Sequence, residues 1–379
     1  MKKTPYLDFY KKHGVSPVAN NVNWDLHFIQ RRALYYQLGV TPGIVKDRKI
    51  LEFGPGNGVN AIFTISMSPY KYTLVDANPT GIENCKKNLK HFHQDKNWQV
   101  IDSLINDFKV DEKFDLVICE GLLPNQIDPS KMTKHCASFV SDGGIFVITC
   151  HDMISQLSET LRCLPGFLIV NKIDDFDKKV EVLSNFYKPH LAYLKGMTRT
   201  PEEWVIDSIL NTEFWQDAPL FSIPEAIEAL EDDFIAYKTS PGFFQDWSWY
   251  KSVDSVKNHF NLGIRESYWA NVHNFIDWRI LSPSRNETLN KELSDLCLTI
   301  RSQIRDAANE SEKIVDLIDS LENLPAYLPD ENYLTKSYLE SYIDGLKDFI
   351  ITGKINPEKF SNFGSWWGRG MQYISFIKN

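Results

Sequence analysis

Five apolar runs in the first 152 residues carry or end on a side chain that can do chemistry. Ile50-Leu51-Glu52-Phe53 holds an acid, and Tyr72 to Val75 ends on Asp76. Trp98 to Ile101 ends on Asp102, Phe114 to Cys119 on Glu120, and Ile145 to Thr149 is followed by Cys150-His151-Asp152. A carboxylate at a strand end, such as Asp76, can accept two hydrogen bonds from a ribose diol. An imidazole titrates near working pH, which makes His151 a general base with Glu120 as the second choice. Between the first two runs lies Gly54-Pro55-Gly56-Asn57-Gly58, where missing Cβ atoms let the backbone pass close to a ligand.

The glycine spacing is G-x-G-x-G. A dinucleotide fingerprint wants G-x-G-x-x-G, and the position of its third glycine is Val59 here. Glu52 would also sit poorly beside a pyrophosphate, whereas it suits a ligand bearing an ammonium group. The pattern E-x-G-x-G-x-G, with Asp76 eighteen residues after Gly58, resembles motifs I and II of class I S-adenosylmethionine-dependent methyltransferases. The resemblance implies S-adenosylmethionine as cofactor, held by Glu52, Gly54, Gly56, Gly58, Asp76 with Ala77, and Asp102 with Ser103, the last pair near the adenine. It puts Glu120-Gly121-Leu122-Leu123 where the methyl donor meets its acceptor, and there Glu120 serves either the cofactor or the chemistry. That stretch departs from the Asn/Asp-Pro-Pro-aromatic signature of enzymes acting on exocyclic or amide nitrogens, which weakens the readings as a DNA adenine or protein glutamine enzyme; oxygen is the expected methylated atom. In the family a helix before the first strand often closes over the cofactor. His27, Arg31 and Arg32 then either face its carboxylate or are surface residues of an amphipathic helix. Glu120 and Asp152 lack the aspartate-rich pattern of metal-dependent relatives, and no Cys/His spacing suggests zinc, so no metal is expected.

The elements that position these residues read as strand and helix repeated five times. The apolar segment Val59 to Met67 suits a helix packed on a sheet, and Pro79 to His93 the next one. Asp142-Gly143-Gly144 reads as a turn before the fifth strand. Residues 370–377 alternate and close the chain as an antiparallel strand. The expected fold is α/β: a Rossmann-like, mostly parallel sheet with an antiparallel last strand, plus large, mainly helical insertions forming a cap. Ligands of such sheets bind at the carboxyl edge, where Glu52, Asp76, Asp102, Glu120 and His151 collect.

Beyond residue 152 the periodicity turns helical. Thr200-Pro201-Glu202-Glu203 and Ser222-Ile223-Pro224-Glu225 are capping boxes. Residues 286–324 carry one apolar stripe, as a helix pair or a single long helix, and another helix spans Tyr333 to Ile351. The expected division is 1–152 for an N-terminal helix and the cofactor-binding core, 153–221 for a helical insertion and 222–245 for a core helix and strand. A second helical insertion then covers 246–363, and 364–379 supplies the final strand. Eight of the ten tryptophans lie at or after 204, including the pairs Trp247 with Trp249 and Trp366 with Trp367. Such clusters either stack on a sugar ring or planar acceptor or pack helices onto a sheet. Residues 363–370 surround Trp366 and Trp367 with glycines and one arginine. They read as a tight loop at a ligand rim, with Arg369 available for a carboxylate or phosphate.

With 379 residues and a net charge of −9, the chain can bury a substantial core and lacks the basic stripe of a nucleic-acid binder. No run approaches a membrane span, the first residues have no apolar core of a signal peptide, and six cysteines without a C-x-x-C pair suggest reduced thiols in the cytoplasm. Three functions fit these residues. One is a methyltransferase for a small molecule, and another the same chemistry on a glycan or carrier-bound acceptor. The third is a silent methyltransferase-like protein that uses 286–324 as a partner or homodimer face. An NAD-dependent oxidoreductase is disfavoured by Val59 and Glu52.

Overall fold

The computed structural model describes residues 5–15, 22–92, 97–124, 126–211 and 220–379. In chain order the elements begin with α1 (Pro5–His13), α2 (Trp24–Gln37), α3 (Pro42–Val45), β1 (Lys49–Phe53), α4 (Val59–Ile65), β2 (Lys71–Asp76), α5 (Pro79–Phe92), β3 (Trp98–Asp102) and β4 (Phe114–Cys119). They continue with α6 (Pro129–Ala137), β5 (Val140–Cys150), α7 (Met153–Val170), α8 (Phe176–Leu191), α9 (Pro201–Val205), α10 (Ile223–Leu230), β6 (Phe234–Ser240) and α11 (Val256–Asn271). The last are α12 (Glu287–Asn309), α13 (Ile314–Asn323), α14 (Tyr333–Thr352) and β7 (Gln372–Lys378). Two compact units emerge, one of residues 1–151, 218–268 and 371–379, the other of 152–217 and 269–370. Residues 246–268, expected with the second insertion, fall in the first unit.

The first unit is built on a seven-stranded sheet in the order β3-β2-β1-β4-β5-β7-β6. β1 to β5 are parallel, and β7 runs antiparallel to both β5 and β6. The order reverses between β1 and β4, and the crevice beyond the carboxyl ends of such strands is where ligands of this fold class bind. β1 and β4 are almost wholly buried, as strands covered on both faces must be. Ile50, Leu74, Leu116 and Val147 join Ala61, Ile62 and Phe63 of α4 and Leu89 of α5 in one core, with Tyr35 of α2 against it. Asp142-Gly143-Gly144 is not a turn ahead of β5 but a bulge inside it. The pairing jumps from Phe114 with Val140 to Leu116 with Ile145, and Gly143 adopts φ +72° to absorb the extra residues.

The second unit is helical. Residues 286–324 resolve into α12 and α13, separated by a 3-10 turn at Ser311–Lys313. The stripe of Leu293, Cys297, Ile300 and Ile304 is buried, and α12 packs on α7. It is therefore used inside the unit rather than offered as the homodimer or partner face expected from its periodicity. Both capping boxes form, one in each unit: Thr200 with Glu203 starts α9, and Ser222 with Glu225 starts α10.

Candidate cofactor and catalytic site

The site is built from the loop that leaves β1. Gly54, Gly56 and Gly58 all have positive φ, +67°, +55° and +79°. A Cβ on Gly54 would lie 2.2 Å from Leu122 Cδ1, and one on Gly58 2.7 Å from Cys85 Sγ. These two glycines let the β4 turn and α5 close on the loop. Gly56 differs, since a Cβ there meets no described atom within 4 Å. Its backbone borders open space, the cradle a bound ligand requires. Gly58 caps α4 in the left-handed conformation, and Asn88 of α5 donates to the Asn57 carbonyl at 3.0 Å.

Asp76 closes β2 beside this cradle. Its Oδ2 accepts from Gly56 N–H at 3.2 Å and its Oδ1 from Asn78 N–H at 2.8 Å. Burial raises its carboxyl pKa, and the Asn78 and Gly56 donors pull it back. Each oxygen keeps lone-pair capacity for a hydroxyl, as a diol ligand needs. Asp102 pairs with Asp76 across the sheet and is exposed, while Ser103 donates its N–H to the Asp76 carbonyl at 2.9 Å. Ala77, half-buried, connects Asp76 to Asn78.

Glu52 is buried one strand away and accepts from the Tyr72 hydroxyl. Burial, reinforced by the nearby Glu120 charge, pushes its carboxyl up to about 7. Glu120, the other acid on this side of the sheet, is gripped by Arg31. Nη1 donates to Oε2 at 2.9 Å and Nη2 to Oε1 at 2.7 Å, with Asn60 of α4 adding a third contact at 3.2 Å. Both Glu120 oxygens are engaged by these donors. The residue is an anchor that ties α2, α4 and the end of β4 together. The next residue, Gly121, has φ +70°, donates its N–H to Thr149 Oγ1 at 2.7 Å, and has no described atom within 4 Å of where a Cβ would stand.

His151 follows β5, two residues beyond Thr149, and its backbone pairs with Phe221. The ring is buried, burial lowers its pKa to about 4, and Nε2 has no partner among the described residues. Burial thus favours the neutral ring and takes its titration well below the working pH on which the sequence expectation of a general base rested. Asp152, in the second unit, is the N-cap of α7, accepting from Ser155 N–H at 2.9 Å. Among the described residues no group of three or more His, Cys, Asp or Glu is arranged to hold a metal ion.

Arg31, which sequence reasoning offered either to a cofactor carboxylate or to the surface, is buried against Glu120, with Tyr35 under its guanidinium at 4.8 Å. His27 meets the Val59 carbonyl at 3.3 Å, and Arg32 is exposed. Sequence reasoning did not single out Asn60, Tyr72 or Thr149 as site residues. For Arg31 a signal existed: it lies one helical turn before Tyr35, on the face that packs against the sheet.

Trp366 and Trp367 do not form a ligand rim. Both are buried in the second unit, with their indole N–H groups bound to the carbonyls of Ile276 at 2.7 Å and His190 at 3.3 Å. The Arg162 guanidinium stacks 3.6 Å from the centroid of one Trp367 ring and donates to the Gly364 and Trp366 carbonyls at 3.1 and 2.8 Å. Gly364 and Gly368 thus serve close packing: a Cβ on Gly364 would lie 2.7 Å from His190 Cδ2 and one on Gly368 2.2 Å from the Ser155 carbonyl oxygen. Arg369 is half-buried beside them, its N–H on the Phe275 carbonyl at 2.8 Å.

Residues 44–193 match the family model of a methyltransferase domain. Residues 44–193 form a methyltransferase domain. The cofactor of this domain is S-adenosylmethionine, and the glycine cradle, Asp76 and Glu52 fit it: open space at Gly56, a diol acceptor and an acid for an ammonium. Solved structures similar to the methyltransferase domain include CcbJ from Streptomyces caelestis, at 14% identity over 33% of this chain and 50% of that one, TM-score 0.29. Another is an S-adenosylmethionine-dependent methyltransferase from Clostridium acetobutylicum, at 18% identity over 35% and 54%, TM-score 0.31. A third is the N-methyltransferase NodS from Bradyrhizobium japonicum in complex with S-adenosylhomocysteine, at 15% identity over 40% and 74%, TM-score 0.32. The chain thus spans about half the length of the first two. No curated protein sequence matches it. Among the described residues no helix is long and apolar enough to cross a membrane.

Proposed function

We propose that the protein transfers a methyl group from S-adenosylmethionine to an oxygen of a small-molecule or glycan acceptor. The reading rests on one observation above the rest: an open glycine cradle whose Gly56 N–H is tied to Asp76 at the end of the next strand. In this reading Asp76 and Ala77 hold the ribose, Asp102 and Ser103 the adenine end, and Glu52 the ammonium. When bound, the cofactor supplies an electrophilic methyl on a positively charged sulfur. What remains for the chain is alignment, which accounts for most of the rate in an in-line displacement. His151 would take the proton of the acceptor hydroxyl at Nε2. Burial keeps the ring neutral at physiological pH, but at about 4 its pKa makes it a weaker base than an ordinary imidazole. Glu120 fixes the turn at Gly121 rather than moving a proton. We assign the cytoplasm as compartment. All six cysteines are buried free thiols, which supports a reducing setting.

The test is calorimetric titration of the purified protein with S-adenosylmethionine, S-adenosylhomocysteine and NAD, repeated on Asp76→Ala. Micromolar binding of both sulfur ligands, lost in the variant, is the expected result. Absence of heat with either, or preference for NAD, would overturn the reading.

A further inference from the structure

The exposed tryptophans of the first unit lie elsewhere than the pair expected at a ligand rim. β6 is antiparallel to β7, which is antiparallel to β5, so β5 and β6 point the same way. Thr149 of β5 and Ser240 of β6 both pair with Tyr373 of β7. The chain leaving β6 therefore starts at the same carboxyl edge as Glu120 and His151, two strand spacings or roughly 10 Å from β5.

That segment is firmly anchored. Phe243 is buried, donates its N–H to Thr239 Oγ1 at 2.9 Å, and packs edge-on against Tyr268. Phe244 stacks on Phe260 with centroids 4.5 Å apart. Asp246 accepts from Ser248 N–H at 2.7 Å and pairs with His259 Nε2 at 2.9 Å. The turn after it is closed by Ser252, whose N–H and hydroxyl both donate to the Trp249 carbonyl at 2.8 Å. From this base Trp247, Trp249 and Tyr250 project into solvent, 94%, 66% and 69% exposed. An anchored loop that exposes three large rings at a ligand-binding edge is a presentation surface, since scattered surface aromatics need no such framework.

We propose that residues 243–251 form a carbohydrate-binding platform that brings a sugar-bearing acceptor to the carboxyl edge of the sheet. The proposal rests on the methyltransferase reading of that edge. Trp249 and Tyr250 are tilted at 45° with centroids 5.2 Å apart, so they form no parallel slot for a flat aromatic ligand. The electron-rich face of an indole or phenol attracts the weakly positive C–H bonds on the face of a pyranose ring. The hydroxyls round the sugar's edge need polar partners, and Lys251 stands beside two of the rings while Ser248 lies between the tryptophans in the chain. Lys251 sits 5.7 and 5.9 Å from the Trp249 and Tyr250 ring centroids. With a net charge of −9 on the chain, a neutral ligand is favoured over an anionic surface.

The experiment probes a printed array of mono- and disaccharides with the wild-type chain and with W247A/W249A/Y250A, both with S-adenosylhomocysteine present. Calorimetric titration of that nucleoside and sedimentation velocity run alongside. The expected result is retention of the wild type on at least one sugar class, weakened about tenfold or more in the variant. Nucleoside affinity should stay within about twofold. No retained sugar, or equal retention of the variant, would overturn the platform. So would a dimer that the substitutions convert to monomer in the absence of sugar binding, which assigns the loop to self-association. If the triple variant does not fold, W247A alone carries the comparison. Should neither protein bind S-adenosylhomocysteine, the methyltransferase reading fails, while the array still decides whether the loop binds sugar.

Discussion

Arg31 holds Glu120 by two hydrogen bonds of 2.9 and 2.7 Å, although 89 positions of chain separate the residues. Both side chains are about nine-tenths buried, so this pair is screened far less by solvent than the ion pairs on the surface. It joins a helix before the first strand to the turn at which the sheet's crevice opens.

Removing one partner leaves a buried charge without compensation. Arg31→Met is expected to cost about 3–5 kcal/mol of unfolding free energy, and the double variant R31M/E120L to recover most of it. Urea denaturation of the three proteins checks this; a single-variant loss below about 1 kcal/mol would mean the pair is effectively solvated.

Gly54 and Gly56 separate folding from binding. Gly54→Ala combines positive φ with a Cβ 2.2 Å from Leu122, whereas Gly56→Ala meets only the backbone strain of φ +55°, about 1–2 kcal/mol. The first variant should be the less stable. The second should fold yet bind S-adenosylhomocysteine about tenfold or more weakly, because its methyl occupies the cradle. Paired melting curves and titrations decide it.

Glu52 gives cofactor affinity and stability a pH dependence. Its carboxyl stands at about 7 in the fold against an ordinary 4.5, so between those values the folded state holds a proton that the unfolded chain releases. Its contribution is complete below pH 4.5 and falls away as pH rises toward 7, by roughly 3 kcal/mol. The difference in stability between wild type and Glu52→Gln, measured by denaturation at each pH, should trace this fall. An ammonium-bearing ligand favours the ionised acid, so S-adenosylhomocysteine should bind more tightly as pH rises through 7. Its binding heat should also differ between buffers of unequal ionisation enthalpy.

His151 acts in the opposite sense. Its pKa, near 4 in the fold against 6.5, makes the contribution complete above 6.5 and lost as pH falls toward 4. His151→Ala should slow methyl transfer about 10²–10⁴-fold while leaving S-adenosylhomocysteine affinity unchanged. A variant of full activity would exclude it as the base.

Arg162 in the helical unit is fully buried, and its terminal nitrogens bind three backbone carbonyls: Ser158 at 2.8 Å, Gly364 at 3.1 Å and Trp366 at 2.8 Å. A lysine cannot span these directions or stack flat on Trp367. Arg162→Lys should therefore destabilise by about 2–4 kcal/mol, read from the urea midpoint.

Local patterns in the sequence sufficed wherever chemistry and structure share a short stretch. The strand runs around Glu52, Asp76 and Glu120 could be read directly because buried parallel strands are short and continuously apolar. The glycine spacing specified the loop because only glycine tolerates three positive φ values within five residues. The capping boxes at Thr200 and Ser222 were legible because a cap is a contact over three residues. What only the tertiary structure decided is which face each side chain meets. Arg31 and Glu120 find each other through packing of α2 on the sheet, and no spacing records it. Trp366 and Trp367 look like Trp247 and Trp249 as text, yet one pair lines an interior around Arg162 and the other stands in solvent. Burial depends on what the rest of the chain places against a residue. The glycines beside Trp366 could serve a ligand or a neighbouring helix, and the close approach of Gly368 to Ser155 settles which.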